Sequence, residues 1–103
     1  MSIVAVFTTI DSEQQAREIA TELVQRKLVA CVQVSNIESF YVWNGATQND
    51  NEFRLMIKTT EEQYAAVEAA ILELHTYELP AIYSVSLSNV YTPYAEWVTE
   101  NSA

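Results

Sequence analysis

The stretch LVACVQVSNIESFYVWNG, residues 28–45, decides the fold, because it favours strand over a length that ordinary strands do not reach. Its β-branched and aromatic residues are those enriched in β-sheets, whereas a typical strand has roughly five or six residues. We therefore predict a long strand that bends or bulges near Ser35 and Asn36.

Asn44 and Gly45 close this stretch with a turn signal, since an Asn-Gly pair is typical of tight β-hairpins. The tract ATQNDN after them is predicted to extend the turn into a polar hairpin tip. NEFRLMIKTT, residues 51–60, is predicted to be the returning strand. In it Phe53, Leu55 and Ile57 alternate with Arg54, Met56 and Lys58.

A strand and a helix precede this pair. SIVAVFTT, residues 2–9, is β-branched and apolar, which predicts a buried strand. Asp11, with Gln14 three residues later, forms a capping-box pattern at a helix start. Apolar residues then recur at helical spacing, so we predict an amphipathic helix of about 16 residues that ends near Lys27.

The second half of the chain has a similar plan. Thr60 and Gln63 form another capping-box pattern, and a helix follows whose apolar face is Tyr64, Val67, Ile71 and Leu74. AIYSVSLSNV, residues 81–90, predicts the fourth strand. Thr92 and Pro93 offer a cap and a helix-starting proline for a short last helix.

The element order β-α-β-β-α-β plus a short helix is that of the split βαβ, or ferredoxin-like, arrangement. It predicts an α+β fold with an antiparallel sheet and two helices on one face, and the length suits one domain, residues 1–103. Both faces of the strands carry large residues, as in Tyr41, Val42 and Trp43, so we predict an oligomer whose subunits pack their sheets together. No basic residues interleave Tyr41 and Trp43, which favours a subunit interface over a nucleic-acid stacking platform.

Composition argues against two classes of partner. Fourteen acidic residues face five basic ones, a formal charge of -9, so neither nucleic acid nor an anionic membrane surface is an expected partner. The single cysteine, Cys31, is expected to be a buried, inert thiol in a reducing compartment. The N-terminus lacks a signal-peptide pattern and no apolar run approaches a membrane span, so we expect a cytoplasmic protein.

Five segments, RKLVACVQV, SFYVWNG, IKTT, HTYELPAI and YAEWV, occur in an order and spacing that resemble the divalent-cation tolerance protein CutA family. The resemblance covers about residues 3–99. It implies a ferredoxin-like subunit in a compact homotrimer, with the long second and third strands reaching across to neighbours. It also implies a link to copper or divalent-cation tolerance, by binding and without an established enzymatic activity.

The same resemblance implies where a metal would bind. The family associates metal with a Cys whose position here is Thr8, and with a His that is retained as His75. Ala81 stands where a Glu is often found. His75 is therefore the one candidate ligand, with Glu78 as a carboxylate nearby, and since copper and zinc sites normally use three or four ligands we expect weak binding of copper or another divalent cation.

Other interpretations stay open beside this one. The architecture also resembles the trimeric PII signalling proteins, which implies a regulatory protein that binds small anionic molecules in clefts between subunits. Candidate pocket residues are then Arg54, Lys58, Tyr77 and Glu78. His75 also fits a purely structural role, because a His at a helix C-terminus suits the helix dipole. An enzyme is not expected, because no activated nucleophile or acid–base pair is specified.

Overall fold

A computed structural model describes residues 2–103. Its elements are β1 (Ile3–Ile10), α1 (Glu13–Gln25), β2 (Cys31–Trp43), β3 (Ala46–Thr60), a 3₁₀ turn (Glu61–Gln63), α2 (Tyr64–Leu74), β4 (Ile82–Ser86) and α3 (Thr92–Glu100). The four strands form one antiparallel sheet in the order β2-β3-β1-β4. The predicted α+β, ferredoxin-like arrangement is confirmed.

The β2–β3 hairpin is longer and more regular than predicted. Its pairing runs without interruption from Cys31 opposite Lys58 to Trp43 opposite Ala46, so the predicted bulge near Ser35 and Asn36 is wrong. The tract ATQNDN is also not a loop tip, because β3 begins directly at Ala46. Two residues close the hairpin, Asn44 at φ 51° and Gly45 at φ 78°. Positive φ at both positions is the type I′ geometry, whose twist matches that of the strands, so a longer loop is not needed.

Alternation along β3 separates the two faces of the sheet. Leu55, Ile57 and Thr59 are buried and lie opposite the alternate residues of β1 that are also buried. They share one core with α1 and α2, whose buried members include Ala16, Ile19, Leu23, Val67, Ala70 and Ile71. Both helices therefore cover the same face, and burial of this apolar surface is the main stabilising contribution.

The third helix covers part of the opposite face. Ile3 and Ala5, which alternate with the core residues of β1, are nevertheless buried, and α3 contacts both β1 and β3. Val98 of α3 is fully buried. The rest of that face stays open, with Tyr83 and Val85 of β4 exposed.

Three helix starts differ from the sequence prediction. Ser12, in extended conformation, is the N-cap of α1, and its hydroxyl accepts from the Gln15 N–H at 3.2 Å. Asp11 lies one residue too early for this role. Thr60 makes no side-chain cap bond, and the Gln63 side chain donates its amide to the Ser102 carbonyl at 2.7 Å rather than reaching back to Thr60. The N-cap of α3 is Tyr91 rather than Thr92, and β4 ends at Ser86, short of the predicted residue 90.

The distal part of the hairpin projects beyond the sheet. β1 pairs with β3 only from Phe53 to Thr60, so residues 37–43 and 46–52 form a two-stranded ribbon without a third strand. The subunit is elongated as a result, 45 × 26 × 21 Å. Phe40 and Val42 of the ribbon are 69% and 67% exposed. Two-stranded ribbons are marginally stable in water, so this one is expected to need a partner.

Candidate functional site

A concave cleft lies where the ribbon leaves the sheet. Its volume is about 640 Å³, and its lining comes from the end of β1, the ribbon and the segment between α2 and β4: Thr9, Asp11, Tyr41, Trp43, Asp50, Asn51, Glu52, Tyr77, Glu78, Leu79 and Ala81. Four of these residues are acidic, three are aromatic and none is basic. Glu52 is the first residue of β3 beyond the pairing with β1, which explains why the cleft opens at this point.

Two tyrosine–carboxylate pairs organise the cleft. The Tyr77 hydroxyl donates to Glu52 Oε2 at 2.6 Å, and the Tyr41 hydroxyl donates to Asp50 Oδ2 at 2.5 Å. Burial, followed by the bond to Glu52, holds the pKa of Tyr77 well above its ordinary value. The bond to Asp50 raises the pKa of Tyr41 to about 12. Both phenols therefore stay protonated at neutral pH and act as donors to the carboxylates.

His75, the candidate metal ligand, lies behind the cleft. It follows the last residue of α2 in extended conformation, and its ring meets two backbone groups. Nε2–H donates to the Thr9 carbonyl at 2.7 Å, and Nδ1 accepts from the Tyr77 N–H at 3.1 Å. The His75 and Tyr77 rings also make an edge-to-face contact at 4.6 Å. Both ring nitrogens are thus engaged in the neutral Nε2–H tautomer, and a metal ion would have to replace one of these bonds.

The two basic pocket candidates lie outside the cleft lining. Lys58 donates to the Gln33 side chain at 2.8 Å, and Arg54 lies over the Phe7 ring, 5.8 Å from its centroid. Both residues belong to the sheet face opposite α1 and α2, because they alternate with the buried residues of β3. Of the four pocket candidates the cleft brings together Tyr77 and Glu78 only. The predicted interface pair, Tyr41 and Trp43, lines the same cleft and is partly exposed.

Thr8 and Cys31 occupy other environments. Thr8 is fully buried on the face towards α1 and α2, and its hydroxyl has no hydrogen-bond partner among residues 2–103. Its neighbour Thr9, on the other face, is the one that lines the cleft. Cys31 is half-buried rather than buried, and its Sγ lies 3.8 Å from the Tyr94 hydroxyl. The expectation of a buried thiol was wrong, because Cys31 is the first residue of β2, which is an edge strand of the sheet.

No group of three or more His, Cys, Asp or Glu side chains converges so that it could hold a metal ion within the described part of one chain. In the same range no helix combines the length and the apolar character needed to cross a membrane.

Three of the four acidic residues of the cleft were missed from the sequence, since only Glu78 was among the pocket candidates. Asp11 was assigned to a helix cap, and Asp50 and Glu52 were assigned to the hairpin tip and the returning strand without a functional role. One signal for Glu52 was present, since a carboxylate directly before the apolar alternation of β3 is unusual in a strand. Its pairing with Tyr77, 25 residues away, is a long-range contact that local patterns do not report.

Three known proteins show what this chain is similar to. The divalent-cation tolerance protein CutA of Thermotoga maritima is 35% identical over 99 residues, covering 96% of this chain and 98% of that protein. The crystal structure of CutA1 from Oryza sativa matches with a TM-score of 0.96 at 28% identity, covering 100% of this chain and 95% of that one. The structure of the periplasmic divalent cation tolerance protein CutA from Archaeoglobus fulgidus matches with a TM-score of 0.95 at 29% identity, covering 98% and 99%.

A family model agrees with these pairwise similarities. The model described as CutA1 divalent ion tolerance protein matches residues 4–101. That range contains all five sequence segments that resemble the family, the whole sheet and the cleft. The chain therefore belongs to the CutA1 divalent ion tolerance protein family.

Proposed function

We propose that the chain is a single domain that assembles as a cytoplasmic homotrimer and contributes to tolerance of copper or other divalent cations by binding rather than catalysis. The observation that carries this proposal is the family match over residues 4–101. The names of the relatives, divalent-cation tolerance protein in Thermotoga maritima among them, support the cation link. The Archaeoglobus fulgidus relative is named periplasmic, so cell fractionation is the direct test of location.

The trimer is supported by the ribbon. A second copy would cover Phe40 and Val42, which together expose large apolar surface on a segment that is marginal alone. Tyr41 and Trp43 are the proposed interface residues on the other side of the same strand. Sedimentation equilibrium should give three times the subunit mass. A double variant, Phe40→Ser with Val42→Ser, should dissociate into smaller species.

A matched control for this test is Leu72→Ser. Leu72 is exposed on α2, away from the ribbon, so its loss should leave the trimer intact. A wild-type protein that sediments as a monomer at micromolar concentration would remove the proposed assembly. A double variant that stays as large as the wild type would show that the ribbon does not hold the subunits together.

Metal binding by His75 is proposed to be weak. Coordination would replace one of two backbone hydrogen bonds of the imidazole, which lowers the net gain from a metal–nitrogen bond. Calorimetric titration of the trimer with Cu(II) and Zn(II) should give modest affinity for the wild type and lower affinity for His75→Ala. Equal affinities in the two proteins would exclude His75 as a ligand, provided that circular dichroism shows the variant to be folded.

A further inference from the structure

The sheet face opposite α1 and α2, called the open face below, is positively charged. Arg54 and Lys58 of β3 alternate with the buried residues of that strand, so their side chains project from the open face. The ion pairs found within residues 2–103 all involve Arg17 or Arg26, on the helical side of the sheet. Lys58 donates to the Gln33 side chain, whereas Arg54 contacts the Phe7 ring. Arg54 is therefore the strand cation with most to gain from a carboxylate.

The ribbon, residues 37–43 and 46–52, carries the opposite charge. It contains Glu38, Asp50 and Glu52 and neither Lys nor Arg. Asp50 is exposed and has the same parity along β3 as Arg54, so it lies on the continuation of the open face. Four strand residues separate these two side chains, roughly 13–14 Å, which is too far for an ion pair within one copy. One face of the long hairpin is thus positive on the sheet and negative on the ribbon.

Aromatic surface accompanies both charges. On the open face Phe7 stacks on Tyr83, with ring centroids 5.3 Å apart, and Tyr83 is exposed. On the ribbon the Tyr41 hydroxyl donates to Asp50, and Trp43 has the same parity along β2 as Tyr41. Aromatic pairs contribute beyond the area that they bury, so the two ends of this face complement each other in charge and in packing.

We propose that, in the trimer, the Tyr41 side of each ribbon lies on the open face of the next subunit, where Asp50 pairs with Arg54. Because the two surfaces differ, the contact is head-to-tail, and contacts of this kind close into rings. A second copy is the occupant that the observations favour, since it supplies the matching charge and also covers a ribbon that is marginal alone. This inference rests on the proposed trimer and adds which surfaces and charges join its subunits.

Charge reversal tests the pairing, with assembly as the readout. Sedimentation equilibrium is run at a urea concentration that half dissociates the wild-type protein, so that changes of either sign are visible. Arg54→Asp should raise the subunit concentration at half assembly at least about tenfold, because like charges would then face each other. Asp50→Arg should also raise it. The variant that carries both substitutions should assemble better than either single variant, because the charges are exchanged rather than lost.

The matched control is Arg17→Asp, which makes the same change of net charge on the exposed surface of α1. It should leave assembly unchanged. Arg17→Asp combined with Asp50→Arg has the same net charge as the exchanged pair and should give no recovery. Equal effects of Arg54→Asp and Arg17→Asp, or equal recovery in the two double variants, would overturn the pairing and leave the trimer in place. A wild-type protein that is monomeric without urea would instead remove the proposed trimer itself.

A milder variant covers the case in which charge reversal prevents folding, as circular dichroism would show. Arg54→Gln removes the charge and keeps a polar side chain. It should raise the subunit concentration at half assembly by severalfold, whereas Arg17→Gln should not. No difference between these two variants would overturn the pairing as well.

Discussion

Two buried threonines provide a matched test of how hydrogen bonding stabilises this fold. Thr8 of β1 and Thr59 of β3 are both fully buried on the face that α1 and α2 cover. The Thr59 hydroxyl donates to the Leu28 carbonyl at 2.8 Å, whereas the Thr8 hydroxyl has no partner within residues 2–103. Replacing each by Val keeps the β-branched shape and the strand preference, so the two variants differ in the hydrogen bond alone.

The expected effects have opposite signs. A buried polar group without a partner is unfavourable by about 1–3 kcal/mol, so Thr8→Val should raise the free energy of unfolding by about 1–2 kcal/mol. Thr59→Val removes a satisfied bond and leaves the Leu28 carbonyl without its donor. It should therefore lower the free energy of unfolding by about 1–2 kcal/mol.

Urea unfolding at one fixed subunit concentration measures both changes, because the stability of an oligomer depends on concentration. The m-value should stay constant, which shows that neither variant changes the surface exposed on unfolding. Thr8→Ser serves as a further control, since it keeps the hydroxyl, loses a methyl group and should destabilise by about 1 kcal/mol. A Thr8→Val protein that is less stable than the wild type, or a shift of both Val variants in the same direction, would refute the reasoning.

Three further predictions concern caps, turn geometry and alkaline pH. Ser12→Ala should lower stability by about 1 kcal/mol, while Asp11→Ala should have little effect, as measured by thermal unfolding. Gly45→Ala should lower the free energy of unfolding by about 1 kcal/mol, because φ at this position is 78°. A Cβ there meets no atom within 4 Å, so the cost comes from the backbone conformation alone. Equal stability of the variant and the wild type in urea unfolding would contradict this backbone strain. In the folded state the pKa of Tyr41 is about 12, and the pKa of Tyr77 is also raised. Both exceed the value of about 10 for an unfolded chain. The two phenols should therefore contribute their full stabilisation below about pH 10 and lose it as the pH rises through the folded-state pKa values. Tyr77→Phe should flatten this loss, with tyrosinate absorbance at 295 nm reporting the titration.

The architecture was predictable because its main signals are local. Alternation of Phe53, Leu55 and Ile57 with Arg54, Met56 and Lys58 sets which residues of β3 face the helices, and the buried positions follow it. The Asn44-Gly45 pair set the hairpin turn, because few other dipeptides tolerate two positive φ values in succession. The order of strands and helices then left few topologies to consider.

The misplaced boundaries have a physical reason in competition between neighbouring groups. Asp11 and Ser12 are both favourable N-cap residues. Which of them caps α1 depends on the position at which β1 ends, and β1 ends at Ile10. The polar tract 46–51 lacks strand preference by composition, yet every residue in it pairs with β2. Cross-strand pairing with the aromatic end of β2 outweighs the weak local preference. The cleft was harder to predict, because its carboxylates and tyrosines meet only after the α2–β4 segment packs against the ribbon.

His75 is both the candidate metal ligand and a residue that positions Tyr77 in the cleft. Its ring joins the end of β1, through Thr9, to the backbone of Tyr77, and Tyr77 in turn holds Glu52. Removal of the imidazole therefore releases Tyr77 as well as any metal bound to the ring, and a lower affinity for a cation in His75→Ala has two explanations. Tyr77→Phe separates them, because it keeps His75 and its backbone bonds while it frees Glu52. If copper affinity falls in His75→Ala and stays unchanged in Tyr77→Phe, the imidazole itself binds the metal. If both variants lose affinity equally, His75 acts by positioning Tyr77, and the cation is held by the carboxylates of the cleft.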